Sequence, residues 1–534
     1  MAELPSASRE GNALRTADLL GAFSLASDLA LGMHTEHGAR SCYIGMHIAQ
    51  EMELPLDQRT DLFYAELLKD AGCTTYTSQL ASSWLVDELV AKRDLQFFRN
   101  ARNPLDIASW LMKYVAAGAS LPTRANHILD FLVKGRAFMK EGFENTCLVA
   151  SRIAQRLGMP QSVQDALMQV FEQWDGHGMP YGNKKGAIPV ISRIVLVTSF
   201  LEVFHRVEGR DAAMHVAQAR RNKAFDPSVV DAFLSVARKE SFWRGLEEER
   251  VWDSVLSMEP EQSPYQYMGE EKLTDVTLAL ADYADLKSPF LAGRSRRIAD
   301  LADRIARRMG LNESQVTTIY QAALVHDIGI VAVPSFVLNK FPETLTEAER
   351  EQVRLHPYHS ERILSKVPAL VAIIPLVAAH HERMDGSGYY RGVQGSQIPV
   401  GARIIALADR FDELTHDSPG SPAREIDQAV EVMRQEVGAR FSTDVFQALT
   451  DELSGVDRSH RQRTRQQEWP AGLTDREVEV LRLIAKGLNR RQVANALFIA
   501  EGTVRSHLEH VYSKIGVSSR ATATLFAVEH GLLA

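Results

Sequence analysis

Cysteine is scarce in this sequence, and so are the features that mark secreted or membrane-spanning proteins. The chain has 534 residues but only three cysteines, without metal-binding spacing, so neither a disulfide framework nor a cysteine zinc site is expected. No apolar run is long enough to cross a bilayer, and the N-terminus lacks the core of a signal peptide. These absences predict a cytoplasmic protein with no membrane partner.

Basic residues are not in excess either. The 60 Lys and Arg residues against 68 Asp and Glu give a formal net charge of −8, which excludes a protein that is basic throughout. Any contact with nucleic acid must therefore come from a local basic surface. A chain of this length exceeds one hydrophobic core and predicts about three domains.

Strand-like alternation is also rare, and most segments have the spacing of amphipathic helices. In residues 294–310 the apolar positions are Ile298, Leu301, Ile305 and Met309. Arginines occupy the opposite face, as on a helix that covers a core. The pattern predicts an all-α protein.

Two blocks of the chain look like copies of one unit. Residues 175–195 align with 385–405 at an offset of 210, with Asp, Gly, Ile-Pro-Val and Arg in register. Upstream, residues 67–73 align with 324–330 at an offset of 257. The two offsets differ by 47, so the first copy carries 47 extra residues between the two motifs.

An apolar stretch in the second copy ends in an adjacent His326 and Asp327. Charged residues rarely lie among apolar ones without a partner, and either a capped helix end or a metal site accounts for this pair. Imidazole and carboxylate are donors that divalent transition metals take. Further donors follow at His356, His380, His381 and Asp409. A helical bundle brings such residues to one interior point, where metal ions polarise a phosphoryl group.

The second copy resembles the HD-GYP division of the HD phosphohydrolase superfamily. The segments that carry the resemblance are HDIG, HPYHSERIL, HHERMDGSGYY and ALADRFDELT. The resemblance implies two divalent ions, iron or manganese with magnesium as the alternative, and hydrolysis of cyclic di-GMP. The implied metal ligands are His326, Asp327, His356, His380, His381 and Asp409. Of these, His326 and Asp327 would form the catalytic centre, with Asp327 bridging the ions.

The second copy also departs from that family pattern. Arg294 stands where the family usually has a liganding histidine, and a guanidinium cannot bind a metal ion. It would instead pair with Asp409 or Asp327, or hold a substrate phosphate. Ile330 replaces the lysine that commonly follows HDIG, and the GYP tripeptide ends in Tyr390. Metal binding is expected in spite of these departures, whereas turnover is left open.

The first copy retains less of the pattern. His37 keeps the opening histidine, but Lys69 and Asp70 replace the His-Asp pair, and Ser199 replaces the last aspartate. The two adjacent histidines are replaced by apolar residues. A lysine in this place substitutes its own charge for that of an ion. We predict that this copy keeps the fold without catalysis, as a ligand sensor or a dimerising surface.

The C-terminal segment has the pattern of four short helices. Thr474 with Glu477 predicts a capping box before the first helix, and Asn489 with Gln492 begins the second. The segment resembles the LuxR-type DNA-binding domain through LTDREVEVLRLIAKG, EGTVRSHLEHVYSKIGV and SSRATA. The resemblance implies a helix-turn-helix on double-stranded DNA, and a homodimer joined through the final helix at about 520–530.

By the same resemblance, residues 502–515 form the recognition helix in the major groove. The side chains implied to face DNA are Thr503, Arg505, Ser506, His507, Glu509 and Lys514. Arg505 and Ser506 would face base edges, while Thr503, His507 and Lys514 would contact phosphates. Glu509 would accept a hydrogen bond from cytosine or remain solvated.

Two functions fit this architecture. In the first, the protein is a LuxR-type transcriptional regulator whose second copy binds metal and senses or hydrolyses a cyclic dinucleotide. In the second, it is an active metal-dependent phosphodiesterase with a DNA-binding tail. The predicted order is an N-terminal tail at 1–16, the degenerate copy at 17–256, a linker at 257–272, the second copy at 273–454, an arginine-rich linker at 455–471 and the DNA-binding domain at 472–534.

Overall fold

A computed structural model of the chain describes residues 13–96, 104–261, 263–456 and 469–533. The first twelve residues of the predicted tail and residues 457–468 of the arginine-rich linker lie outside the described residues. Within the described ranges the chain is helical apart from one two-stranded sheet, which confirms the all-α prediction. No helix in these ranges is long and apolar enough to cross a membrane.

The chain divides into two compact units: the first is Met1–Val276 with Lys366–Ala369, and the second is Thr277–Ser365 with Leu370–Ala534. In the first, strand β1 (Ala13–Arg15) pairs antiparallel with β2 (Tyr267–Gly269). Its helices are α1 (Thr16–Ala30), α2 (His37–Glu51), α3 (Leu56–Leu68), α4 (Thr77–Trp84), α5 (Glu88–Gln96), α6 (Pro104–Tyr114), α7 (Leu121–Arg156), α8 (Gln161–Leu167), α9 (Val190–Glu208), α10 (Arg210–Arg220), α11 (Pro227–Val236), α12 (Glu240–Leu246) and α13 (Val251–Ser257).

The helices of the second copy begin at Leu273, and those of the C-terminal domain at Asp475. The second copy contains α14 (Leu273–Asp285), α15 (Arg294–Arg308), α16 (Glu313–Val325), α17 (Ser335–Leu338), α18 (Glu347–Arg354), α19 (His356–Leu364), α20 (Ile374–Ala378), α21 (Val400–Thr415), α22 (Ile426–Glu436) and α23 (Thr443–Val456). The C-terminal domain contains α24 (Asp475–Ala485), α25 (Arg490–Leu497), α26 (Glu501–Ile515) and α27 (Arg520–Glu529).

The helix bounds confirm the internal duplication. Helices α2 and α15 begin and end 257 residues apart, and so do α3 and α16. Helices α9 and α21 begin 210 residues apart. Both offsets equal those of the sequence alignment, so the chain contains two tandem bundles of the same design.

A glycine explains why one loop motif survives in both copies. A Cβ atom on Gly72 would overlap the carbonyl oxygen of Thr146, and one on Gly329 would overlap that of His356. The loop after α3 and the loop after α16 therefore each approach the neighbouring helix more closely than a side chain allows. This contact needs the backbone geometry alone, so it persists where the chemistry is lost.

In the part of the first copy that contains the extra residues, the described residues include a small separate core. Trp84, Trp110 and Leu111 are buried in it, and Phe131 and Phe138 of α7 pack against them. Phe131 and Phe138 contact Trp84 edge-on at 4.8 and 4.5 Å between ring centroids. Because these rings bury one another, the insertion stabilises itself.

Both predicted helix starts of the C-terminal domain are confirmed. The Glu477 carboxylate accepts from the Thr474 backbone N–H at 2.8 Å, and the Thr474 hydroxyl accepts in return at 3.3 Å. The Asn489 and Gln492 side chains make the reciprocal pair at 3.0 and 2.8 Å. At the start of each of these two helices, the capping box therefore satisfies two backbone N–H groups.

Candidate metal centre and DNA-binding surface

The six predicted donors of the second copy come together although they lie on separate segments. They form two groups that share Asp327, and within each group the donor atoms lie within 4.8 Å of one another. The first group, called here the tetrad, is Asp327, His356, His380 and His381. The second, called the triad, is His326, Asp327 and Asp409.

Backbone hydrogen bonds orient three of the histidines. In each, Nδ1 lies at hydrogen-bond distance from the carbonyl oxygen three residues earlier: His326 and Ala323 at 2.6 Å, His356 and Val353 at 2.7 Å, His380 and Val377 at 2.6 Å. A carbonyl only accepts, so Nδ1 carries the proton and donates. A neutral imidazole in this tautomer has its lone pair on Nε2. All three rings therefore turn an Nε2 atom toward the centre.

Asp327 faces these nitrogens with both carboxylate oxygens. Its Oδ1 lies 3.0 Å from His356 Nε2 and 3.4 Å from His380 Nε2, and its Oδ2 lies 3.3 Å from His326 Nε2. Asp327 Oδ1 and His326 Nε2 are nevertheless buried without a hydrogen-bond partner. Buried lone pairs that face one another in this way fit a divalent cation.

Burial controls the protonation of the site. It lowers the pKa of His380 and of His381 below the ordinary value, which favours the neutral form that binds metal. Burial acts in the same direction on His326, but Asp327 and Asp409 outweigh it and raise the pKa of that imidazole to about 10, so Nε2 carries a proton that a bound ion would displace to reach the lone pair. Burial would raise the pKa of Asp327, yet His326 and His356 hold it well below its usual range.

Arg294, the first residue of α15, pairs with Asp409. Its Nη2 donates to Asp409 Oδ1 at 2.5 Å, and its Nη1 lies 3.9 Å from Asp412 Oδ2. Burial would lower the pKa of the guanidinium, but Asp409 and Asp412 raise it above its ordinary value, so Arg294 is charged. Arg297 holds Asp412 through two hydrogen bonds at 2.7 and 3.1 Å.

Glu382 is a site residue that the motif comparison missed. It is buried next to His381 and accepts from the backbone N–H groups of Arg391 and Gly392 at 2.8 and 2.9 Å. Glu172 accepts from two N–H groups of the corresponding loop in the first copy, at 2.7 and 3.1 Å. The two glutamates are 210 residues apart, so the repeat offset was the signal that identifies them.

Tyr389 covers one side of the tetrad. Its ring stacks on that of His381, with centroids 4.7 Å apart and planes at 23°. The Arg354 guanidinium lies 5.1 Å from the centre of the same ring. Aromatic and cationic groups thus line the approach to the donors.

In the first copy a lysine occupies the place of His326. Lys69 Nζ forms an ion pair with Asp70 and lies 3.2 Å from His37 Nε2. His37 Nδ1 lies 2.5 Å from the Glu202 carboxylate, and the Ser199 hydroxyl donates to a backbone carbonyl. Among the described residues, the groups of donors that suit a metal ion all belong to the second copy.

The predicted recognition helix is α26, which begins one residue earlier than expected. Val504, Leu508, Val511 and Ile515 face the core of the domain. Thr503, Arg505, Ser506 and Glu509 are exposed, and His507 is half-buried. The Arg505 side chain forms an ion pair with Glu509 at 2.8 Å.

Lys514, the last of the predicted DNA contacts, has partners within its own domain. Its ammonium group donates to the Glu477 carboxylate at 2.7 Å and to the Gly472 carbonyl at 2.9 Å. It therefore ties α26 to the start of α24. In the final helix Ala521 to Val528 are all buried, and the dimer contact at about 520–530 stays a prediction.

Comparison with known proteins matches two parts of the chain to family models. Residues 279–445 match the HD domain, and residues 471–527 match the bacterial regulatory proteins of the luxR family. The chain is 31% identical to a 3'3'-cGAMP-specific phosphodiesterase 3 of Vibrio cholerae over 443 residues, which cover 83% of this chain and 95% of the relative. A cyclic di-GMP phosphodiesterase of Thermotoga maritima is 33% identical over 36% of this chain and 52% of its own.

A solved structure has the same fold. The crystal structure of a cyclic GMP-AMP-specific phosphodiesterase of Vibrio cholerae superposes with a TM-score of 0.58 at 28% identity, covering 83% of this chain and 98% of that one. The match extends over far more than one HD domain, in agreement with the tandem copies. The chain therefore belongs to the HD-domain phosphodiesterases, and it carries in addition a DNA-binding domain of the luxR family.

Proposed function

We propose that this protein is a DNA-binding transcriptional regulator whose second HD copy is a metal-dependent phosphodiesterase for a cyclic dinucleotide. The observation that carries this proposal is the tetrad, in which His356 and His380 direct Nε2 atoms at one oxygen of Asp327. Relatives named for 3'3'-cGAMP and for cyclic di-GMP support the substrate class. We leave the choice between these two substrates to experiment.

The tetrad would hold the metal ion, and the residues around it keep the donors in place. A divalent ion bound there supplies Lewis acidity and a water of lowered pKa. Three backbone carbonyls fix the ring orientations of His326, His356 and His380. Glu382 orders the loop that carries Tyr389 over His381. The side chains thus bind and orient, and they exclude bulk water from the centre.

Hydrolysis by full-length protein loaded with Mn²⁺ tests the enzymatic part. Products from 3'3'-cGAMP and cyclic di-GMP would be resolved by chromatography, with bis(p-nitrophenyl) phosphate as a generic phosphodiester. We expect His380→Ala to lower the rate by at least roughly 10- to 100-fold. His359→Ala is the matched control, because His359 lies on the same helix as His356 but outside both donor groups. Bound metal without turnover of any substrate would leave only a sensing role.

We propose that the luxR-family domain, at 472–534, binds double-stranded DNA as a homodimer, since helix-turn-helix proteins commonly read two half-sites. The exposed residues Thr503, Arg505, Ser506 and Glu509 on α26 support the groove-facing assignment. Sedimentation of the full chain on a duplex selected from a random pool should give two chains per duplex. One chain per duplex at saturation would contradict the homodimer.

We further propose that the first copy, at 17–256, is catalytically inactive and acts as a ligand sensor. A cavity of about 190 Å³ lies where the metal centre would be, and Lys69, Lys92, Phe143 and Phe171 are among its lining residues. The Lys69 ion pair supports the assignment, because a fixed cation there opposes a divalent ion. If the first copy holds no metal ion, the Asp70→Asn variant should bind metal as the wild type does.

A further inference from the structure

The two donor groups of the second copy are not equivalent. The tetrad has four protein donors, three of them imidazoles. The triad has only three, His326, Asp327 and Asp409, and one of these already has a cationic partner. Metal sites in proteins commonly use three or four protein ligands. The tetrad offers four, whereas the triad offers three, of which Asp409 is paired with Arg294.

The Arg294 guanidinium competes directly for the triad. It bonds to Asp409 Oδ1 at 2.5 Å, and this is the same oxygen that lies 3.8 Å from His326 Nε2. An ion held by the triad through that oxygen would share it with a permanent positive charge, and an ion held through the other oxygen of Asp409 would still lie a few ångströms from the guanidinium. The side chain of Arg294 is only 18% exposed, so solvent screens the repulsion poorly.

The first copy also has a cation and a histidine at these two equivalent positions, but in the opposite order. His37 and Arg294 each begin the corresponding helix, and Lys69 and His326 occupy the other equivalent position. In the first copy the cation is Lys69, paired with Asp70 and in contact with His37. In each bundle a cationic side chain is therefore paired with a carboxylate at the equivalent place: Lys69 with Asp70, and Arg294 with Asp409.

We propose that the second copy binds one divalent ion, at the tetrad, and that Arg294 takes the place of a second ion by neutralising Asp409. This inference rests on the proposed metal-dependent function and specifies the number of ions in it. His326 then faces the ion-paired half of the centre, and Asp327 contacts the bound ion through the oxygen that faces His356 and His380.

Metal counting tests the inference without reference to activity. Full-length protein would be saturated with Mn²⁺, desalted, and analysed by mass spectrometry for manganese per chain and by electron paramagnetic resonance. We expect one ion per chain with the six-line spectrum of an isolated Mn²⁺. Arg294→His, which restores the residue that the first copy has at this position, should bind two ions with a coupled spectrum. Arg294→Gln removes the charge without adding an imidazole, and it should also admit a second ion, held more weakly by the three triad donors alone.

Two ions per wild-type chain would overturn the inference while leaving the metal-dependent function intact. No ion in the wild type would overturn both. A folded Arg294→His variant that binds a single ion would show that the arginine is not what excludes the second one. Since the wild-type count is decisive by itself, the test does not depend on how well the variants fold.

Discussion

At the scale of single residues, buried ionisable side chains distinguish the two copies. In the second copy, carboxylate and imidazole face each other with lone pairs directed at one point. In the first, Lys69 lies among acidic groups and forms an ion pair with one of them. Buried charges of this kind need a partner of opposite sign, and each copy uses a different one. A single substitution at position 69 or 294 therefore changes what the centre can bind.

Glu66 in the first copy gives a prediction about pH. Its side chain is fully buried, and although Oε1 accepts from Thr198 at 2.7 Å, Oε2 has no hydrogen-bond partner. Burial raises the pKa of this carboxyl from 4.5 to about 8, against the opposing effect of Lys69. The folded state thus binds the proton more tightly than the unfolded state. Its stabilising contribution is complete below about pH 4.5 and is lost as the pH rises toward 8.

Glu66→Gln imitates the protonated form, so we expect it to flatten this dependence. At pH 8.5 the variant should be more stable than the wild type by roughly 1–3 kcal/mol, the scale of a buried unsatisfied polar group. Urea unfolding followed by tryptophan fluorescence reports on the correct unit, because Trp84, Trp110, Trp174, Trp243 and Trp252 all lie in it. The exposed Glu249→Gln is the control. A variant with the wild-type pH profile would contradict the assignment.

At the scale of elements, the loops and helix starts hold the site together. The loop after the tetrad histidines is ordered by Glu382, and its counterpart in the first copy by Glu172. The close contact of Gly329 brings the loop after α16 against α19. These features recur in the copy without a metal centre, so they are properties of the fold that the site depends on.

Glu382→Ala should both destabilise the second unit and weaken metal binding. It removes the carboxylate that accepts from the N–H groups of Arg391 and Gly392, a loss of two hydrogen bonds to a charged group that costs roughly 1–3 kcal/mol, and it frees the segment next to His381. Glu172→Ala removes the equivalent bonds from the first copy and should lower stability without changing Mn²⁺ affinity. Calorimetric titration with Mn²⁺ separates the two variants. Equal losses of affinity would show that the loop does not act through the tetrad.

Arg505→Ala should weaken specific DNA binding by roughly 1–3 kcal/mol and relax sequence preference at one position. The Glu509 ion pair holds the guanidinium on the exposed face of α26, ready to exchange that partner for a guanine edge. Fluorescence anisotropy on a duplex selected by the wild type measures the loss. Arg476→Ala is the control, since Arg476 lies on α24 and bonds to Glu479 and the Leu497 carbonyl. Equal effects of the two substitutions would indicate only a general charge effect.

At the scale of the whole molecule, the chain contains two homologous helical bundles and a DNA-binding domain of the luxR family. The two bundles differ in the ionisable side chains at their centres. The donor groups that suit a metal ion lie in the second unit among the described residues. A ligand that binds only the native state stabilises the part that binds it. Metal should therefore act on one unit of the chain and not on the other.

Saturation with Mn²⁺ should raise the thermal transition of the second unit alone. At a free concentration about 100 times Kd the stabilisation is about 2.7 kcal/mol, visible by calorimetry. Tryptophan fluorescence, dominated by the first unit, should show an unchanged transition. Asp327→Asn should abolish the calorimetric shift. A parallel shift in fluorescence would mean that the two units unfold as one.

Much of this architecture follows from local sequence. Helical spacing predicts the all-α fold, because the apolar face of each helix is written into a few successive turns. The capping boxes at Thr474 and Asn489 follow from residues three positions apart. The repeat offsets locate equivalent helices to the residue, since both copies keep the same backbone contacts. The order of the histidines and aspartates indicated the donor set of the second copy.

Other features depend on packing between distant segments. From the sequence, either Asp409 or Asp327 could be the partner of Arg294. The ion pair that forms, with Asp409, joins residues 115 positions apart in the chain. The burial of Ala521 to Val528 and the turning of Lys514 toward Glu477 likewise depend on how helices are placed. Sequence alone determined which imidazole, carboxylate and cationic side chains are available and which helices carry them. Only the tertiary structure decided which of those groups meet, because a contact of about 3 Å depends on the packing of the whole bundle.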